Sequence, residues 1–115
     1  MSLLLKRRRP VEEPQAPELD PVDATLGCKP IGDVRWRERV KIHGRVRSVR
    51  VQPWADVPTL ECVLVDDTGG VTVVFLGRRW IAGIRPGTMM AVEGMVGSHH
   101  GKLAMLNPDY VLQPS

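Results

Sequence analysis

The sequence predicts an all-β domain: a small five-stranded barrel with one short helix between its third and fourth strands, behind a proline-rich arm. Three observations lead there. Apolar and cationic residues alternate with a period of two from Val40 to Val46. The pattern Val40-x-Ile42-x-Gly44-x-Val46 returns as Met90-x-Val92-x-Gly94-x-Val96, two long strands each with a glycine where a tight curve leaves no room for a side chain. The run Asp66-Asp67-Thr68-Gly69-Gly70 is a strong turn signal between two apolar segments.

The arm comes first in the chain. Residues 1–30 hold five of the ten prolines, and their acids and bases cancel. Repeated proline without apolar periodicity argues for an extended, flexible arm. Residues 31–113 form the expected domain. The first strand starts near Val40, and after Arg47 its phase slips, so that Val49 and Val51 carry the apolar pattern. A slip of one residue beside a glycine predicts a β-bulge or sharp bend. Pro53 and Pro58 mark a loop, and Leu60 to Val65 is the second strand. Val71 to Leu76 is the third. In Arg78 to Ile84, the residues Trp80, Ile81 and Ile84 fall on one helical face before Pro86-Gly87, which predicts the short helix with Trp80 plugging the barrel floor. Thr88 to Val96 is the fourth strand and Lys102 to Leu106 begins the fifth. Asn107-Pro108 interrupts it, and Tyr110 to Leu112 resumes it. This order, with bent first and fourth strands, is that of an OB-fold. A five-stranded open sheet with a helix is the competing topology.

The 115 residues carry a net charge of +3, which conceals an uneven distribution. Residues 35–50 hold seven bases, Arg35, Arg37, Arg39, Lys41, Arg45, Arg47 and Arg50, against the single acid Glu38. The stretch sums to +6 and the remainder to −3. Such a stripe on an otherwise acidic chain points to a polyanion partner, because like charges this close repel one another without one. No apolar run reaches the roughly 18 residues of a membrane helix, and Leu3-Leu4-Leu5 precedes its basic run rather than following it as in a signal peptide. A cytoplasmic location is the expectation.

Catalytic and metal chemistry find little support in the linear pattern. Cys28, Cys62, His43, His99 and His100 are scattered, with no Cys-x-x-Cys or His-x-x-x-His, so no metal ligand set and no cofactor is expected. Cys62 alternates with Leu60 and Leu64 and reads as a core residue; His99 and His100 read as a loop tip facing water. No serine lies in a Gly-x-Ser-x-Gly context, and an enzyme is not expected. Single-strand binding needs exposed rings beside cations. Trp54, in the first loop, either stacks on a base or packs beneath the loop. Trp36, between Arg35 and Arg37, is either a stacking platform or a cover for one open end. Phe75 and Tyr110 read as structural.

Several of these residues carry a likeness to a known family. Asp66 to Phe75, Pro86-Gly87, the Val92-Glu93-Gly94 strand and Asn107-Pro108-Asp109-Tyr110 resemble the OB-fold wedge domain of RecG-type DNA helicases, as does Val40 to Val49. The likeness covers about residues 31–113 and extends to short stand-alone actinobacterial OB-fold nucleic-acid-binding proteins. It implies binding of single-stranded or branched nucleic acid, DNA or RNA. Unwinding is not implied, since no Gly-x-x-x-x-Gly-Lys-Ser/Thr phosphate loop is present. The expected nucleic-acid contacts are Arg35, Trp36, Arg37, Arg39, Lys41, His43, Arg45, Arg47, Arg50, Trp54 and Lys102. The alternative is a protein-interaction OB module whose basic face docks an acidic partner in a DNA-repair or RNA-processing assembly.

Overall fold

The computed structural model describes residues 26–113. The arm expected over residues 1–30 therefore lies, up to residue 25, outside the described residues. Six strands form one sheet: β1 (Arg39–Val51), β2 (Thr59–Val65), β3 (Gly70–Leu76), β4 (Met89–His99), β5 (Lys102–Leu106) and β6 (Asp109–Gln113). The described residues are all-β, as expected, with a single 3-10 turn among them at Ile31–Asp33.

Five strands close into a ring. The order β1-β2-β3-β5-β4 returns to β1 through a second pairing of β4 with β1. The β3–β5 pairing is parallel and the others are antiparallel. β6 adds to β4 beside Met89–Glu93, next to the stretch that β5 occupies. β5 and β6 thus run in succession along one edge of β4. Asn107 separates them: its backbone is left-handed (φ 47°), its N–H donates to Val74 O, and its Oδ1 accepts from Leu76 N–H. The interrupted fifth strand of the sequence reading is in the structure two strands.

β1 can pair with two neighbours because it curls. Its first half lies against β4 and its second against β2, with Arg45 opposite both Met89 and Val65. Gly44 stands at the changeover, where an added Cβ would lie 2.5 Å from Val65 O. Gly94 meets a gentler constraint, with a Cβ 3.2 Å from Pro108 Cβ. The expected phase slip is real: Val46 pairs with Leu64 and Ser48 with Val63, leaving Arg47 as an extra residue. Because side chains alternate, one extra residue exchanges the faces of everything after it. Val49 turns to the core and Arg50 turns away from it.

The interior is filled by Val40, Ile42, Val46, Leu60, Leu64, Val73, Met90, Val92, Val96 and Met105, with Cys62 and Phe75 buried among them as expected. Burial pushes the Cys62 thiol up to about 12, which leaves it inert at neutral pH. Tyr110 packs edge-on against Phe75, centroids 5.5 Å apart.

The helix between β3 and β4 is not formed. Residues 77–88 run as consecutive turns, held by Ile84 N–H to Ile81 O and Thr88 N–H to Arg85 O. Ile81 and Ile84 are buried as their spacing demands, but Trp80 is 73% exposed and plugs nothing. The five residues between left-handed glycines at Gly77 and Gly83 (φ 78° and 85°) are too few to repay helix nucleation. An i, i+3 apolar pair is served equally well by one turn.

The 66–70 turn takes a different form from the one its glycines suggest. Neither Gly69 nor Gly70 is among the residues with positive φ. Gly69 is needed because the Gly32 backbone passes close: a Cβ on Gly69 would lie 3.2 Å from Gly32 Cα. Asp66 organises the crossing. It accepts from Thr68 N–H, Thr68 Oγ1–H and Gly69 N–H on one oxygen, and from Ile31 N–H on the other. Partial burial would raise its pKa. The bonds from Ile31, Thr68 and Gly69 outweigh that and hold the carboxyl below its ordinary value.

Candidate nucleic-acid interface

The β1–β2 loop folds into a small hairpin. Trp54 and Val57 exchange both backbone hydrogen bonds, at 2.9 and 3.0 Å, across Ala55 and Asp56. Both turn residues are left-handed (φ 53° and 67°), the geometry that matches strand twist. The β4–β5 connection is equally tight, with His100 and Gly101 left-handed at φ 55° and 78°.

These two tips meet. The Trp54 ring stands edge-on to His99, centroids 5.0 Å apart. His99 Nε2 lies 2.9 Å from Glu61 Oε2, and Arg50 Nε donates to Glu61 Oε1 at 3.2 Å. The His100 ring lies tilted against His99, at 57° with 4.1 Å between centroids. Glu61 and His99 are buried, whereas Trp54 remains 38% exposed. Burial alone would raise the Glu61 carboxyl. Hydrogen bonds from His99 and Arg50, with their attraction, outweigh it and hold the group below the ordinary glutamate value.

His99 corrects the sequence reading, which placed both histidines in water. It is the last residue of β4, not a loop residue, and the hairpin that carries Trp54 packs against it. Glu61 was missed altogether. It sits mid-strand in β2 between Leu60 and Cys62, and its two basic partners come from β1 and the end of β4. The one hint in the sequence is an acid inside an otherwise apolar strand, which needs a partner once buried.

The expected contact residues fall into four groups. Arg50 and Trp54 join the cluster just described, and Lys102 is cross-strand neighbour to His99 in the β4–β5 pairing. Arg45 and Arg47 are exposed on β1 beside the bulge. Arg39, Lys41 and His43 lie on the first half of β1, opposite Met95, Glu93 and Ala91. His43 hydrogen-bonds the Gln113 side chain of β6. Glu93 faces Asp109 on its other side, so acids temper the charge of this half.

Arg35, Trp36 and Arg37 form the fourth group, ahead of β1. Arg37 is left-handed (φ 69°), and its guanidinium lies 4.3 Å from the centre of the Trp36 ring, a cation–π contact. Trp36 is 57% exposed and covers no end of the ring. Glu38 anchors the turn by accepting from Arg35 N–H and from Lys29 Nζ at 2.6 Å. Bonds from Lys29 and Arg35 hold its carboxyl below the ordinary range.

The fold has counterparts among solved structures. The chain is similar to the second OB-fold domain of replication protein A from Methanococcus maripaludis, with a TM-score of 0.59 and 15% identity over 76% of this chain and 95% of that one. It is also similar to the p204 HINb domain, with a TM-score of 0.55 and 14% identity, spanning 97% of this chain and about half (52%) of that one. At these identities the likeness is one of fold, and the fold is that of an OB domain. No family model matches the chain, and no curated protein matches its sequence. Among the described residues no helix is long and apolar enough to cross a membrane.

Proposed function

We propose that the chain is a non-catalytic nucleic-acid-binding module, with single-stranded or branched DNA as its preferred ligand and RNA as a weaker one. The observation that carries this reading is the meeting of the two connecting tips. In OB folds the face of strands 2 and 3 and the loops between strands 1 and 2 and strands 4 and 5 take up oligonucleotides. Here those loops set a half-exposed Trp54 against His99, which shares Glu61 with Arg50 and is cross-strand neighbour to Lys102, so that a ring and cations join one cluster, as sequence-tolerant stacking requires. Arg45 and Arg47 extend the positive path along β1 and would follow phosphates. The branched-DNA element rests on the resemblance to helicase wedge domains.

A second reading is favoured by a different place. Trp36 and Met95 are exposed beside Arg37 and Arg39, and an apolar surface edged with cations suits an acidic protein partner. One titration separates the two. Fluorescence anisotropy with a labelled single strand, its RNA equivalent and a forked duplex should give saturable binding that weakens with salt. Absence of binding to all three at low salt would leave the protein-docking reading.

A further inference from the structure

Glu61, His99 and His100 place three metal-binding atoms within 4.8 Å of one another. We propose that they form a site for a transition-metal ion of the zinc class, closing the gap between the β4–β5 tip and β2. Two imidazole nitrogens and one carboxylate oxygen suit Zn²⁺, Co²⁺ or Ni²⁺ and do not suit Mg²⁺ or Ca²⁺, which prefer all-oxygen shells. Three protein ligands leave one position of a tetrahedral ion for water.

The site is largely built before any ion arrives. The Glu61 and His99 side chains are buried, 7% and 4% exposed, and already face each other across 2.9 Å. The second Glu61 oxygen is held by Arg50, the kind of outer hydrogen bond that orients a ligating carboxylate. Trp54 packs on His99 and restricts its ring. The unusual member is His100. Successive residues of a strand point to opposite faces, so His99 and His100 would ordinarily diverge. The left-handed backbone of His100 (φ 55°) folds its ring back beside His99. A non-glycine residue in that conformation costs stability, and the third ligand lies there. Ligand atoms around a tetrahedral zinc-class ion stand about 3.3 Å apart, given bonds near 2.0–2.1 Å. The observed spread, up to 4.8 Å, leaves about 1.5 Å for side-chain rotation to close. The sequence reading saw only separate histidines, because the carboxylate that completes the set is thirty-eight residues away from His99.

The test uses the untagged full chain, titrated with Co²⁺ and with Zn²⁺ by calorimetry and visible absorption at neutral pH. The expected result is saturable one-to-one binding, d–d bands of low-symmetry four-coordinate Co²⁺, and a melting temperature that rises with metal concentration. His100→Gly fits the left-handed backbone, so the metal-free variant should melt no lower than wild type while its metal affinity falls about tenfold or more. Glu61→Gln, with circular dichroism to check folding, should weaken binding likewise. No saturable binding, or equal affinity in His100→Gly, overturns the proposal. So does a strong thiolate-to-cobalt band, which would assign the ion to Cys28 or Cys62.

Discussion

Trp54 stands edge-on to His99 with ring centroids 5.0 Å apart, so the same side chain that offers a face to ligand also ties the β1–β2 loop to the end of β4. Trp54→Ala should therefore register twice. Loss of base stacking should cost about 1–3 kcal/mol in affinity for a single strand. Loss of the edge contact should cost about 0.5–1.5 kcal/mol in stability. Anisotropy and chemical denaturation on one variant read both. A stability loss with unchanged affinity would remove Trp54 from the interface and leave Trp36 as the stacking candidate.

Binding should follow counterion release. If three to five of the β1 cations meet phosphates of a single strand, log K against log salt should have a slope of roughly −2 to −3.5. The double change Arg45→Ala with Arg47→Ala should weaken all sequences alike, because phosphate contacts carry no base information. A salt-independent affinity would contradict the electrostatic path.

Gly44 and Gly94 should differ in tolerance although their sequence contexts match. Gly44→Ala drives a Cβ against a backbone oxygen at 2.5 Å, and β1 must shift to accept it, costing about 3 kcal/mol or more. Gly94→Ala meets a proline side chain at 3.2 Å and should cost about 1 kcal/mol. Denaturant midpoints of the two variants give the order, and equal values would argue against the changeover at Gly44.

Acid should unfold this domain through particular carboxylates. Asp66 and Glu61 titrate lower in the folded chain than their ordinary values of 3.8 and 4.5. Each therefore contributes stability that is present above the ordinary value and lost as pH falls through the lower folded one. Asp66→Ala should cost about 1–3 kcal/mol at neutral pH, since it frees the Ile31, Thr68 and Gly69 donors. The deficit should shrink as the pH is lowered towards 3. A deficit that stays constant across that range would exclude charge as its origin.

The turn carrying Trp54 contains an avoidable strain. Ala55 sits at φ 53°, where a side chain is unfavourable and glycine is at ease. Ala55→Gly should raise stability by about 0.5–1 kcal/mol, measured by thermal or denaturant unfolding. A loss of similar size would mean that the loop leaves this conformation in solution.

Much of the strand plan was legible because it follows from local alternation. The cation–apolar rhythm of Val40 to Val46, the slip at Arg47 and the twin glycines at Gly44 and Gly94 correspond to the long curled β1 and β4 and to the bulge. The turn at Asp66 was located correctly, yet the reason for Gly69 was not visible, since it depends on a backbone crossing thirty-seven positions earlier, at Gly32. Trp80 misled because an i, i+3 apolar pair does not distinguish a helix from a single turn. The cluster at Glu61 was the least legible part. Its members come from β1, β2 and the end of β4, and no spacing rule links an acid in one strand to a histidine in another. The arginines were marked by their number, but their grouping by neighbours such as Glu93 and Asp109 required the sheet register.

The extra residue at Arg47 makes the chemistry of β1 a matter of parity. Upstream of it, odd-numbered side chains such as Lys41 and Arg45 lie outside; downstream, even-numbered Ser48 and Arg50 do. Removing Arg47 would restore an unbroken ladder and leave Val49 inward and Arg50 outward. Removing Arg47 together with Ser48 would instead turn Val49 outward and send the Arg50 guanidinium inward. Relatives of this domain should accordingly tolerate the loss of one residue at this point, while the loss of two should come with exchanged apolar and cationic residues downstream.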